Sequence, residues 1–251
     1  MKDGKYIYCI IELNRPRSFG PLGIGDRGDE LRTICFQDIA ALVSNSPIMK
    51  YSVSRENTLA HERAIEEAMK EHTVLPVRFA TIAEDGEKVK KILEKEYDRF
   101  VALLKDIKGK KELGLKAIFK EDVIYKDILE KYEDIKKLKK KVAALPAEKT
   151  YYQRMEIGKM VEAALQKEKE IYKKDILNTL SPLAVKVKTD NTYGERMIIN
   201  AAFLVEKHKE EEFDRKVNEL SDKYGDKIKF KYVGTVPPFN FVNLVIKTSE
   251  Y

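Results

Sequence analysis

The order of strand-like and helix-like segments most constrains this chain, because a related order occurs twice. Apolar residues at every second position indicate strands, and a spacing of three or four indicates helices. The first half reads strand, loop, two strands, helix, strand, helix, and the second reads strand, helical excursion, two strands, helix, strand. The second order is ferredoxin-like with a helical insertion in its first crossover, and the first half fits the same plan if its loop replaces the first helix. We therefore predict an α+β fold of two tandem ferredoxin-like domains, 1–109 and 110–251.

The strand Val74–Ile82 is the most informative element of the first half. Strand alternation predicts that Pro76, Arg78 and Ala80 share one face, while Leu75, Val77 and Phe79 share the other. Because proline has no N–H to donate to a neighbouring strand, Pro76 indicates a strand start or a sheet edge. The other predicted elements of this half are strands Lys5–Ile11, Leu31–Phe36 and Ile39–Val43, a helix capped by Ser54, and a helix from Asp85-Gly86 to Gly109.

The second half is dominated by a predicted helical hairpin at 121–180. One apolar stripe runs from Glu121 to about Leu145, Pro146 ends it, and a second stripe runs from about Thr150 to Leu180. At a rise of about 1.5 Å per residue, each arm is about 37 Å or longer. After the last strand comes an apolar tail, 236–251, which is too apolar to be left in water and must dock on its own domain or on a partner.

Composition excludes several functional classes. The chain of 251 residues carries 48 Lys and Arg against 42 Asp and Glu, so its net charge of +6 is not that of a polycation. It contains no apolar stretch long enough for a membrane span, which needs about 18 residues. The first apolar run, Tyr6–Ile11, is shorter than a signal-peptide core, so we expect a cytosolic protein. Cys9 and Cys35 lie in apolar runs without CxxC spacing, which favours buried, reduced thiols.

The chain offers few candidates for catalysis or cofactor binding. Gly23–Gly28 matches GxGxxG, but a strand-like run follows where the dinucleotide motif requires a helix, and Asp26 and Asp29 would repel phosphate. His61 and His72 are eleven residues apart, whereas paired metal ligands on a helix lie three or four apart. We interpret both as core-edge histidines that hydrogen-bond to the backbone or to solvent. We therefore predict no enzymatic activity, cofactor or metal site.

Two basic segments raise the question of nucleic acid binding. The run Lys136–Lys141 lies within helical arms whose acidic and basic residues nearly balance, which is typical of solvated helices. Lys229-Phe230-Lys231-Tyr232 approaches the aromatic strand motif of ferredoxin-like RNA binders but lacks its glycines. We expect no nucleic acid partner, and a ferredoxin-like ligand-sensing or RNA-binding module remains the alternative function.

Several segments match no catalytic pattern but have distinctive amino-acid sequences. They are Tyr6–Glu12, Asp38–Ser44, the block from His61-Glu62-Arg63 through Val74–Ile82, Asn200–Val205, and Pro237–Val242. Together they resemble the gas vesicle protein F/L family over nearly the whole chain. The family usually has glycine where this chain has Ala80, and often has tryptophan where it has Val236.

The resemblance implies a non-enzymatic accessory protein of gas vesicle formation. Such a protein is a minor vesicle component that binds the small hydrophobic major shell protein and helps to nucleate or chaperone its assembly. Other gas vesicle accessory proteins are further expected partners. The expected location is the cytoplasm and the gas vesicle surface.

An apolar, polymerising partner requires an apolar or edge-strand surface on its binder, and β-augmentation is one physical route. One hypothesis places this contact at Pro76, Arg78 and Ala80, with Arg78 as a polar anchor. The alternative is that Arg78 pairs with Glu62 or Glu66 and only stabilises the fold. A second hypothesis assigns the contact to the tail, through Phe239, Phe241 and Leu244.

Overall fold

A computed structural model describes residues 2–25, 27–146 and 149–250. Asp26 of the glycine-rich loop, residues 147–148 of the hairpin turn and residue 251 of the tail lie outside the described residues. The chain forms two compact units, Met1–Glu112 with Thr235–Tyr251, and Leu113–Gly234. The tail therefore belongs to the first unit, whereas the sequence assigned 236–251 to the second domain.

The first unit is built on a six-stranded sheet. Its strands follow the order β2-β3-β4-β1-β5, and β6 also pairs with β1. β1 pairs antiparallel with β4 on one side and with β5 on the other. The elements are β1 Asp3–Glu12, β2 Ser18–Gly20, β3 Leu31–Phe36, β4 Ile39–Pro47, α1 Arg55–Met69, β5 Val74–Pro76, β6 Ile82–Ala83, α2 Gly86–Lys95 and α3 Tyr97–Ile107.

Helices cover both faces of this sheet. Ala64, Ile65 and Ala68 of α1 share a buried cluster with Tyr6 and Tyr8 of β1. On the opposite face α2 packs against β3 and β4, and α3 against β5 and β1. Both faces of β1 are therefore apolar, as expected for a central strand.

The second unit has a four-stranded sheet in the order β10-β7-β9-β8. Its helices and one sheet face enclose a separate apolar core that includes Phe119, Phe203 and Phe213. The elements are β7 Lys110–Phe119, α4 Glu121–Lys131, α5 Glu133–Ala143, α6 Tyr151–Leu180, β8 Ala184–Thr189, β9 Met197–Glu206, α7 Glu210–Tyr224 and β10 Ile228–Val236. The described residues thus form a mixed fold of seven α-helices and antiparallel sheets.

Several predicted elements form as expected from local sequence. The Ser54 hydroxyl accepts the Asn57 N–H at the start of α1, which is the N-cap contact that stabilises the first turn of a helix. Two predicted helices are instead broken in the middle. Glu96 separates α2 from α3 with φ −100° and ψ 9°. Tyr132 separates α4 from α5 with φ −102° and ψ 91°, so the first arm of the hairpin consists of two helices.

None of the helices among the described residues is both long and apolar enough to cross a bilayer.

Candidate functional site

The predicted partner-binding residues Pro76, Arg78 and Ala80 lie at an edge of the first sheet. β5 is the last strand of the sheet, and Pro76 is paired with Cys9 of β1. Pro76 is buried, and its missing N–H costs nothing at an edge because no further strand of the sheet requires it. The edge position that the sequence predicts for Pro76 is therefore observed.

The predicted alternation beyond Pro76 is wrong, because the strand is interrupted by a turn. The Val77 N–H donates to the Tyr8 carbonyl over 2.9 Å, and the Ile7 N–H donates to the Thr81 carbonyl over 2.9 Å. Between these two bonds the chain leaves the sheet, and Ala80 takes a φ of 62°. Arg78 is consequently exposed on the turn, and Ala80 is half-buried within it. The three residues do not share one strand face.

A buried histidine is linked to this turn by hydrogen bonds. His61 of α1 is 4% exposed. Its Nε2 lies 3.2 Å from the Val77 carbonyl oxygen, and its Nδ1 lies 3.1 Å from the Tyr6 hydroxyl. Because a carbonyl only accepts, Nε2 carries the proton and Nδ1 accepts from Tyr6. The Tyr6 oxygen in turn accepts the Ala80 N–H over 2.8 Å.

Burial favours the neutral form of His61. Burial lowers the pKa of His61 from 6.5 to about 4, although its hydrogen bond to the Val77 carbonyl acts in the opposite direction. The ring stacks on Tyr8 with centroids 5.6 Å apart. His61 is thus a core histidine bonded to the backbone, as the sequence predicts, and it fixes the position of the turn that presents Arg78.

The apolar tail docks on the same sheet edge. Leu244 forms a parallel bridge with Val77, and the Arg78 N–H donates to the Leu244 carbonyl over 3.1 Å. Val242, Leu244 and Ile246 are buried. The tail therefore docks on its own chain, on the first unit.

A buried carboxylate fixes the start of the tail. Glu112 is 2% exposed, and its two oxygens accept the Asn240 N–H over 3.0 Å and the Asn240 side-chain amide over 2.7 Å. Charge-assisted hydrogen bonds of this kind are about twice as strong as neutral ones. This contact could not be predicted from local sequence, because the two residues are 128 positions apart.

We call the turn and the tail together the edge–tail surface, comprising residues 76–81 and 239–246. A groove of about 560 Å³ lies between residues 78–82 and residues 245–249, and is also lined by Ile48 and Met49. Three apolar side chains are exposed at this groove, namely Ile48, Met49 and Val245. Phe239 is exposed at a second cavity of about 270 Å³, which shares Arg78 and Phe79 with the groove. Phe241 is half-buried. Leu244 is buried, so it contacts a partner only if the tail moves.

The Arg78 guanidinium faces solvent at this groove. Within the described ranges it forms no ion pair with Glu62, Glu66 or any other carboxylate. The pKa of Glu62 is raised by its burial and by the neighbouring Glu66, with no contribution from an arginine. The pairing of Arg78 with Glu62 or Glu66 is therefore not observed, and the Arg78 side chain is exposed.

The remaining sequence candidates lie elsewhere and gain no chemistry from the fold. The glycine-rich loop leads into strand β3 rather than into a helix, so it lacks the helix N-terminus that binds pyrophosphate. Phe230 and Tyr232 are half-buried and pack against the core of the second unit. Both cysteines are free, and burial raises the pKa of the Cys9 thiol. The residues described include no group of three metal-ligating side chains.

Comparison with known proteins assigns the chain to a family. The sequence model described as gas vesicle synthesis protein GvpL/GvpF matches residues 4–243. The chain belongs to this family. It is 25% identical to gas vesicle protein F of Dolichospermum flosaquae, over 95% of this chain and 97% of that protein. It is 26% identical to gas vesicle protein F of Nostoc sp., over 97% of this chain and 100% of that protein. A role connected with gas vesicles follows.

Solved structures show the same fold. The crystal structure of gas vesicle protein GvpF from Anabaena sp. PCC7120 superimposes with a TM-score of 0.82 at 23% identity, covering 96% of this chain and 99% of the other. The crystal structure of GvpF from Microcystis aeruginosa gives a TM-score of 0.77 at 23% identity, with the same coverage.

Proposed function

We propose that this chain is a non-enzymatic accessory protein that binds the small hydrophobic shell protein of gas vesicles and helps to nucleate or chaperone its assembly. One observation carries the proposal: exposed apolar side chains surround an unpaired arginine at the edge of the first sheet. Contiguous exposed apolar surface is uncommon on monomers and marks interaction sites. Family membership supplies the gas vesicle context.

The proposed contact surface consists of Pro76, Arg78, Ala80, Phe239, Phe241 and Leu244. Phe239 on one side of Arg78, and Ile48, Met49 and Val245 at the adjoining groove, offer apolar area to a hydrophobic subunit. Arg78 adds a polar anchor, because arginine presents several N–H donors to carboxylates and carbonyl groups. Pro76 and Leu244 are buried and shape the surface from beneath.

A capture experiment with a matched control tests this proposal. Arg78→Ala removes the anchor, and Arg63→Ala removes an exposed arginine of α1 that makes no ion pair within the described ranges. Both variants lose one positive charge, so a general electrostatic effect would weaken both equally. We expect Arg78→Ala to capture several-fold less shell protein than Arg63→Ala, after circular dichroism shows that both are folded. Equal capture by the two variants would refute the assignment of Arg78.

We also propose that both units derive from the ferredoxin-like plan, divided near residues 109–112. In the second unit, the strand order β10-β7-β9-β8 is the ferredoxin-like order, with the hairpin 121–180 in the first crossover. In the first unit, β5-β1-β4-β3 follows the same order, and a loop replaces the first helix. These strand orders support the proposal.

The proposed location is the cytoplasm and the surface of the gas vesicle. There the chain would meet newly made shell protein as well as other gas vesicle accessory proteins. Fractionation of cells that form gas vesicles tests this: the protein should appear both with purified vesicles and in the soluble fraction. Its complete absence from washed vesicles would contradict the surface location.

A further inference from the structure

The tail docks on the first sheet as an extended strand would. Leu244 is bridged in parallel to Val77, and its carbonyl accepts the Arg78 N–H. Side chains at every second position point inward, with Val242 4%, Leu244 2% and Ile246 8% exposed. Asn243 and Val245 between them are exposed. The sheet edge thus accepts an extended segment that has apolar side chains at alternate positions.

The attachment of the tail is uneven along its length. Its start is fixed by Asn240, which is bonded to the buried Glu112 carboxylate. Further along, one main-chain bond from Arg78 holds Leu244 to the sheet. The groove continues beyond that bond beside residues 245–249, of which Val245, Lys247 and Ser249 are exposed. The hydrogen bonds described between the tail and its surroundings thus lie at Asn240 and Leu244, whereas the segment after Leu244 is held mainly by the buried Ile246 side chain.

An unpaired strand edge is also a hazard for a protein that handles aggregating partners. Exposed edges pair with other chains, and native proteins commonly cover them. Here the covering segment is apolar at alternate positions and belongs to the same chain. The tail therefore indicates that this edge binds an extended segment with apolar side chains at alternate positions.

We infer that the edge beside Val77 is a strand-acceptor site, and that an extended segment of the shell protein replaces residues 242–246 there. The inference rests on the proposed function. The incoming segment has apolar side chains at alternate positions, runs parallel to Val77, and offers a carbonyl to the Arg78 N–H. The tail is then a resident occupant, and its removal from the groove is a step in binding.

A reversible covalent lock tests the inference. Paired strands lie about 4.8 Å apart, which suits a disulfide, so Val77→Cys combined with Leu244→Cys should link the tail to the edge. The same sample is compared oxidised and reduced, which cancels any loss of stability from the substitutions. We expect oxidation to lower capture of the shell protein at least tenfold and reduction to restore it. The unsubstituted chain, carrying free Cys9 and Cys35, should respond to neither treatment.

The outcomes separate this inference from the proposed function. Undiminished capture by the oxidised double variant would overturn strand replacement and leave shell-protein binding standing. Failure of the unsubstituted chain to capture shell protein would overturn both. Disulfide-linked dimers would show that the tail of a second copy occupies the edge, and would also overturn the inference.

A second variant decides the matter if the disulfide does not form. Ile246→Ala, at a buried tail residue outside the proposed contact surface, loosens the docked tail without deleting it. Strand replacement predicts that this variant captures several-fold more shell protein than the unsubstituted chain, because the groove is free more often. Equal or lower capture by the folded variant would contradict the inference.

Discussion

The stability of the first unit should depend on pH through His61. This side chain is buried against Tyr6, Tyr8 and the turn that presents Arg78, and its pKa falls from 6.5 to about 4 on folding. Between these two values the unfolded chain binds a proton that the folded chain does not. Stability is therefore complete above pH 6.5 and declines as the pH falls toward 4.

The magnitude follows from the size of the shift. One pKa unit corresponds to about 1.4 kcal/mol, so a shift from 6.5 to about 4 amounts to about 3.4 kcal/mol when fully developed. At pH 5 the linkage relation gives a loss of about 2 kcal/mol relative to pH 7.5. Acidic side chains also begin to titrate in this range, so the His61 contribution must be isolated by a variant.

His61→Gln provides that variant, because glutamine is polar but does not titrate. We expect the unfolding free energy of the unsubstituted chain to fall by about 2 kcal/mol more than that of His61→Gln between pH 7.5 and pH 5. Urea titrations followed by tyrosine near-ultraviolet circular dichroism measure this, since the chain has 13 Tyr and no Trp. His208→Gln, at an exposed histidine, is the control and should keep the full pH dependence. The same pH dependence in His61→Gln as in the unsubstituted chain would refute the reasoning.

Four further substitutions test the fold of the first unit by urea unfolding. Ala80→Gly should raise stability by about 0.5 kcal/mol, because glycine relieves the positive φ at this turn, whereas Ala83→Gly in β6 should lower it by about 1 kcal/mol; a loss at both positions would contradict the strain at Ala80. Leu244→Ala should cost about 2–4 kcal/mol, since the side chain is 2% exposed, and a cost below about 1 kcal/mol would mean that the tail is not docked in solution. Ser54→Ala should cost about 1 kcal/mol through loss of the α1 cap, and no change would argue against that hydrogen bond.

Features encoded by neighbouring residues were predictable from the sequence. The hydroxyl of Ser54 caps a helix and the missing N–H of Pro76 favours a sheet edge, so both features follow from the residue itself. The tail was predictable as an apolar segment that must dock, because Leu244 and Ile246 could not remain in water.

Features that depend on distant residues were not predictable. The alternation of apolar residues after Val77 predicts a continuous strand and not a turn. Because alanine rarely adopts the positive φ that Ala80 has, the residue type at this position did not indicate the turn either. The glycine that the family usually has at this position was the available signal. The contact between Glu112 and Asn240 joins residues that are remote in sequence, so nothing local indicated that the tail docks on the first unit.

The helix interruptions at Glu96 and Tyr132 also lacked a sequence signal. Neither position has the proline or glycine that usually breaks a helix. At Tyr132 the hydroxyl donates to the buried Glu168 carboxylate over 2.9 Å, and the ring packs on the core of the second unit. The break between α4 and α5 thus coincides with tertiary contacts of Tyr132, whereas the apolar periodicity of the sequence predicts one continuous helix.

Binding of the shell protein is tested most directly by co-expressing it with this chain and measuring complex formation by size-exclusion chromatography. We predict that shell protein co-elutes with the unsubstituted chain and with Arg63→Ala, and that several-fold less co-elutes with Arg78→Ala. Shell protein that elutes or aggregates identically with and without this chain would contradict the proposed function.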